Sequence, residues 1–155
     1  IPRLWSQDRK NNKLINMEFK KIHLYGSDIE DYEVLSALIQ DAAIPTSEIK
    51  FDKVEKQFFL VCSRFSWESK LQNKGNKRIL SGICFDNVIE VKKKNFPSFN
   101  SENILNFLTL KKVRGFIELI FSNNILIKLV GNNISFRIDD LNKEWPTIFS
   151  PNHKN

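Results

Sequence analysis

The apolar positions along this chain repeat at two spacings, and the switch between them marks its elements. In FKKIHLYG (19–26), Phe19, Ile22, Leu24 and Tyr25 mix with polar residues and predict a strand. In SDIEDYEVLSALIQDAA the spacing lengthens to three and four, placing Tyr32, Leu35, Leu38, Ile39 and Ala42 on one helical face. Ser27 and Glu30 have the spacing of a capping box, in which hydroxyl and carboxylate satisfy orphan backbone N–H groups. Asp28, Glu30 and Asp31 put negative charge in the first turn, where the helix dipole favours it. Pro45 is expected to end this helix by residue 43 or 44.

From Ser47 onward the period is two. SEIKF and QFFLVCSRF read as strands joined by the polar turn DKVEK. LQNKGNK reads as a loop, RILSGICFDNVIEVKK as one long strand bent at Gly82, and KNFPSFNSE as a second loop. ILNFLTLKKV predicts a further strand, and GFIELIFSNNILIKLV a hairpin turning at SNN. In NISFRIDDLNKEW, Ile134, Ile138 and Leu141 share a helical face, and Pro146 stops a short C-terminal helix.

This order predicts a single α+β domain over residues 17–148: a mostly antiparallel, strongly bent sheet or roll, one long helix after the first strand, and a short C-terminal helix. The stretches 57–62 and 116–121 are apolar on both faces, so each is expected to be covered on both sides. A rolled sheet closed by the terminal helix would do this, and a pleckstrin-homology-like roll is one arrangement of that kind. Residues 1–16 read as a flexible basic N-terminal extension whose Leu4 and Trp5 could dock on the body, and 149–155 as a disordered tail. Met17, the only methionine, is one candidate for the natural start, and a true tail that precedes it is the alternative.

Composition changes this picture little. With 155 residues, 41% hydrophobic and 27% charged, the chain has the make-up of an ordinary globular domain. It contains no apolar run near the ~20 residues of a membrane helix and no signal-peptide pattern at its start, so a cytoplasmic location without membrane partners is expected. The net charge of +6 matters more, because it raises the question of nucleic acid. Arg3, Arg9, Lys10 and Lys13 against Asp8 supply half of it, and lysines dominate the rest, which suits a solvated Lys-rich surface. Cys62 and Cys84 lie in apolar runs without a CxxC partner or a nearby His, as small buried hydrophobes do.

Two groups of residues are candidates for function. The first is Gln40, Asp41, Arg64, Trp67 and Glu68. Along an extended strand, Arg64 and Glu68 share one face with Ser66, and Phe65 and Trp67 share the other. Either Arg64 pairs with Asp41 or Glu68 and clamps the helix end to the sheet, or it forks onto a ligand carboxylate or phosphate. The second group is basic: Lys92, Lys93 and Lys94 with Phe96 and Phe99, joined by Lys111, Lys112 and Arg114. Clustered cations bind phosphates and aromatic rings stack bases, whereas a Lys-rich sheet edge also discourages aggregation. His23 and His153 stand apart, and no P-loop, GxGxxG or metal-spaced cluster occurs. Enzymatic chemistry, a cofactor and a metal are therefore not expected.

The string DIEDYEVLSALIQDA followed by RFSWE resembles the alphaproteobacterial domain of unknown function 2948 family. The likeness spans about residues 17–146. It rests on Ser36, Ala37, Gln40, Asp41 and Ala42, then Arg64, Phe65, Trp67 and Glu68. It continues through Phe85 and Val88, then Glu118, Leu119 and Phe121, and ends with Ile134, Ile138, Asp140, Leu141 and Trp145. The chain departs from the family's pattern at Ser66, at Ser122–Asn124, and at Asn132–Asn133, where the family often has Glu-Cys. Any catalysis resting on that pair would be missing here. The resemblance implies an alphaproteobacterial cytoplasmic protein and no particular activity. The reading these observations favour is a non-enzymatic binding domain that engages a protein partner by its sheet edge or beside Arg64 and Trp67. Its alternative is a nucleic-acid-binding or ribosome-associated accessory protein using the Lys92–Lys94 loop and the basic extension, and a small-ligand enzyme stands third.

Overall fold

A computed structural model describes residues 21–66, 77–98, 103–141 and 145–146. The expected extension 1–16, the tail 149–155, Trp67, Glu68 and Phe99 lie outside the described residues. The domain is a sheet-rich α+β fold. Strand β1 (His23–Gly26) leads into helix α1 (Ile29–Leu38), then β2 (Ala43–Pro45), a 3₁₀ turn (Thr46–Glu48), β3 (Ile49–Asp52) and β4 (Gln57–Phe65). There follow β5 (Lys77–Asp86), β6 (Glu90–Lys94), β7 (Ile104–Val113), β8 (Phe116–Phe121), β9 (Leu126–Val130), β10 (Ser135–Asp140) and β11 (Trp145–Pro146).

The strands form one open antiparallel sheet in the order β1-β10-β5-β4-β2-β7-β8-β9-β6, with β3 added on β4 and β11 on β5. Its two halves meet at β2, where Ala43 pairs with Ser63 on one side and Asn106 on the other. The two halves close over a shared core. Phe58, Phe85 and Phe136 come from one half, Phe107 and Phe121 from the other, and Tyr32, Leu35 and Ile39 from the helix. Each ring so buried stabilises the fold by roughly 2–3 kcal/mol relative to exposure.

The helical face reads as its spacing predicts: Tyr32, Leu35, Leu38, Ile39 and Ala42 are all buried. The capping box lies one residue later than the Ser27–Glu30 spacing suggests. Asp28 is the N-cap and accepts from the Asp31 N–H at 2.8 Å, while the Asp31 carboxylate accepts from the Ser27 N–H at 3.1 Å. The helix also ends earlier, at Leu38, because Asp41 turns left-handed (φ 64°) and its N–H donates to the Phe107 carbonyl. Pro45 then lies in the three-residue strand β2, which the pattern does not reveal.

Three further expectations are corrected. The stretch expected to be a C-terminal helix is β10, paired with β1 and β5. Phe136, Ile138 and Asp140 alternate inward along it, and an aspartate in an apolar position hid the period of two. A pleckstrin-homology-like roll closed by such a helix is therefore not what residues 134–141 build. The stretch 78–93 is not one long strand: Gly82 sits in regular pairing with Val61 inside β5. It breaks at Asn87 (φ 71°) into β5 and β6, one in each half of the sheet. Nor are 57–62 and 116–121 covered on both sides: Phe59 is exposed, and Phe116 and Ile120 are half-buried. The turn at SNN stands as read, with Asn123 and Asn124 both at positive φ.

Candidate functional site

Strand register decides which polar groups meet inside the fold. On the core face of the sheet, β5 pairs Ser81 with Cys62 of β4 and with Asp140 of β10. Arg64 lies two residues beyond Cys62 on the same face. The result is a polar knot among core side chains, with Arg64 and Asp140 both wholly buried. Arg64 Nη2 donates to Asp140 Oδ2 at 2.9 Å, and Nε donates to Asp140 Oδ1 at 3.2 Å and Ser81 Oγ at 3.1 Å. Nη1 donates to the Phe65 carbonyl at 3.1 Å. The Ser81 hydroxyl donates to Asp140 Oδ1 at 2.6 Å, and the Ile22 N–H to Oδ2 at 2.8 Å.

Among the described residues the carboxylate against Arg64 is thus Asp140, not Asp41; Glu68, the other expected partner, lies outside them. Two-pronged pairing without solvent, with each acceptor oxygen bonded twice, is the geometry in which a buried ion pair holds elements in register. It joins β4, β5, β10 and the segment before β1. Gln40 and Asp41 are exposed and make no hydrogen bond to Arg64. The described members of the sequence-derived group therefore separate into Arg64, in a buried clamp, and Gln40 and Asp41 on the surface at the helix end. Asp140 is the member that sequence reasoning missed. It lies 76 residues from Arg64, and its one signal is its place in the terminal motif of the family pattern.

Sulfur chemistry is suppressed beside this knot. Burial pushes the Cys62 thiol up to about 12, so it carries no thiolate near neutral pH. Burial and then the Asp86 charge raise Cys84 as well, against a hydrogen bond donated by Arg137 Nη2 at 3.2 Å. His23 is exposed and paired with Asp139. Among the described residues no group of His, Cys, Asp and Glu has metal-binding geometry, and no helix is long and apolar enough to cross a membrane.

The basic candidates occupy several surfaces. Register puts Lys111, Glu118, Lys128 and Lys92 in one row across the outer face of β7, β8, β9 and β6, so an acid interrupts the lysines. Lys94 shares that face, whereas Lys93 and Lys112 point the other way and Arg114 sits in the β7–β8 turn. Lys93 Nζ lies 4.5 Å from the Phe96 ring centre and Lys128 Nζ 4.1 Å from that of Phe116. Each ammonium occupies a ring face that a base would need.

A second feature joins α1 to β7. Along β7, β2 pairs with Ile104–Asn106, and Phe107 exchanges backbone bonds with Asp41 and Ala42. Past that point the outer edge of β7 has no strand beside it among the described residues. Between this edge and the helix lies an open depression of about 380 Å³, lined by Ile29, Ala37, Gln40, Leu108, Leu110 and Lys112 among others. Ile29 is 57% and Leu108 45% exposed, high values for side chains of this kind. Ser36 and Thr109 approach each other at 3.4 Å across the depression. Of the sequence-derived candidates it brings together Gln40 and Lys112.

No curated protein and no solved structure gives a significant match to this chain. A family model described as protein of unknown function (DUF2948) matches residues 22–153, and the chain belongs to that family.

Proposed function

We propose that this protein is a non-enzymatic α+β binding domain that engages a protein partner through a free edge of its sheet. The observation that supports this reading is the edge of β7 beyond Phe107. It is a row of backbone groups with no neighbouring strand among the described residues, set beside a depression lined by exposed Ile29 and Leu108. Exposed strand edges are templates for pairing and are usually blunted by charge or cover. The edge strand β6 is blunted in that way by Lys92, Lys93 and Lys94; the β7 edge also carries Lys111 and Lys112 but exposes Leu108 beside them. The buried Arg64 knot, with no solvent-exposed guanidinium, acts in this reading as the clamp that holds the sheet in shape.

The reading is tested by affinity capture from a lysate of the source cells, with and without nuclease, using the wild type and Ala37→Trp. Ala37 is exposed on the helix side of the depression, so the indole fills the space without entering the core. A specific protein that persists through nuclease and is lost with Ala37→Trp is expected. Captured material that vanishes entirely on nuclease treatment would favour the nucleic-acid alternative and defeat the protein-partner reading.

A further inference from the structure

The backbone of β7 specifies what kind of partner segment its edge would accept. Val113 and Phe116 flank the two-residue turn Arg114-Gly115, with Gly115 at φ 90°, so they form a hydrogen-bonded pair. Alternation then directs the N–H and C=O groups of Lys111 and Thr109 to β8, and those of Lys112 and Leu110 to the opposite side. The partner strand agrees: Phe121 donates its N–H to the Ile125 carbonyl, which sets Leu119 and Ile117 to bond β9 rather than β7. The outward groups of Leu110 and Lys112 have no partner among the described residues. From Leu108 to Lys112 this open edge runs about 13 Å, at roughly 3.3 Å per residue.

The side chains around it add two preferences. At one end Ala37 and Leu108 form an apolar rim, while Ile29 lies two helical turns away, one turn from Tyr32. At the other, Lys112 Nζ stands 5.4 Å from the Tyr32 ring centre and pairs with no carboxylate among the described residues. Resting on the buried Tyr32, it holds a positive charge at the mouth of the depression, which Glu33 also lines without forming an ion pair to it among the described residues.

Taking the protein-partner reading as its premise, we infer that the α1–β7 depression is a strand-addition site. It receives an extended peptide of about four to five residues, hydrogen-bonded to Leu110 and Lys112. One apolar side chain of the peptide seats against Ala37 and Leu108, and a carboxylate two or four residues away meets Lys112. The carboxylate comes from an aspartate, a glutamate or a C-terminus. The backbone pairing supplies affinity for any extended segment, and the two side-chain subsites choose among segments.

The test is selection from a displayed library of random twelve-residue peptides, followed by binding of the enriched peptides in solution. The expected motif has an acidic residue two or four positions from a Leu, Ile, Val or Phe. Ala37→Trp should abolish binding, while Ala37→Ser preserves it and Lys112→Glu weakens it by about tenfold or more. Unchanged melting of each variant confirms that the loss is local. Enriched peptides indifferent to Ala37→Trp and Lys112→Glu would overturn this site while leaving a protein-binding domain intact. Enrichment of nothing above background would overturn it as well, and a protein captured from lysate in the same preparation would then show that the partner docks by a folded surface.

Discussion

Removing the Arg64 guanidinium measures what the buried knot contributes. In Arg64→Ala, Asp140 keeps the Ser81 hydroxyl and the Ile22 N–H but loses donors at 2.9 and 3.2 Å. Neither side chain is exposed, so water cannot screen the stranded carboxylate. Breaking a buried ion pair from one side costs about 3–5 kcal/mol, a large share of the roughly 5–15 kcal/mol that stabilises a typical domain. At about 2–4 °C per kcal/mol for a chain of this size, the melting temperature should fall by roughly 6–20 °C. Urea unfolding should give the same loss as a lower midpoint at unchanged slope. The paired change Arg64→Met with Asp140→Leu should recover much of that loss, because it removes both charges together. A melting temperature within about 2 °C of wild type for Arg64→Ala would refute the reasoning.

Other expectations follow from single contacts. Gly26→Ala should cost about 1–3 kcal/mol or more by thermal melting, since an added Cβ would lie 2.5 Å from the Asp31 Cβ and 2.7 Å from the Phe136 ring. Tyr32→Phe removes the hydroxyl that donates to the Ile134 carbonyl at 2.8 Å, and leaving that buried acceptor bare should cost about 1–3 kcal/mol in urea unfolding. Burial raises the Cys62 pKa from 9.0 to about 12. Its contribution to stability is therefore complete below pH 9 and lost as pH climbs towards 12. Urea midpoints between about pH 8 and pH 11 should fall more steeply for wild type than for Cys62→Val, and equal slopes would contradict this.

Much of the fold is legible in the sequence where one local signal dominates. The spacing of Tyr32, Leu35, Leu38, Ile39 and Ala42 specifies a helix face, and Asn123-Asn124 specifies a turn through their tolerance of positive φ. What escapes is what depends on distant partners. Asp140 reads as a solvent residue until Arg64 is brought against it, and that misreading turns β10 into a helix. β2 is three residues long and exists because two other strands offer it partners. The depression beside β7 likewise belongs to no single segment. Gln40 and Lys112 are visible as polar residues, but Ile29 and Leu108 look like ordinary apolar positions until the sheet leaves them uncovered.

Residue-resolved amide exchange tests the free edge of β7 most directly. In the isolated protein the Leu110 and Lys112 amides should exchange rapidly while that of Lys111, bonded to β8, is protected. Addition of a captured protein partner, or of a selected peptide, should slow Leu110 and Lys112 and leave Lys111 unchanged. Leu110 and Lys112 amides as protected as Lys111 in the isolated protein, or protection gained only at Phe116 and Lys128, would contradict the account.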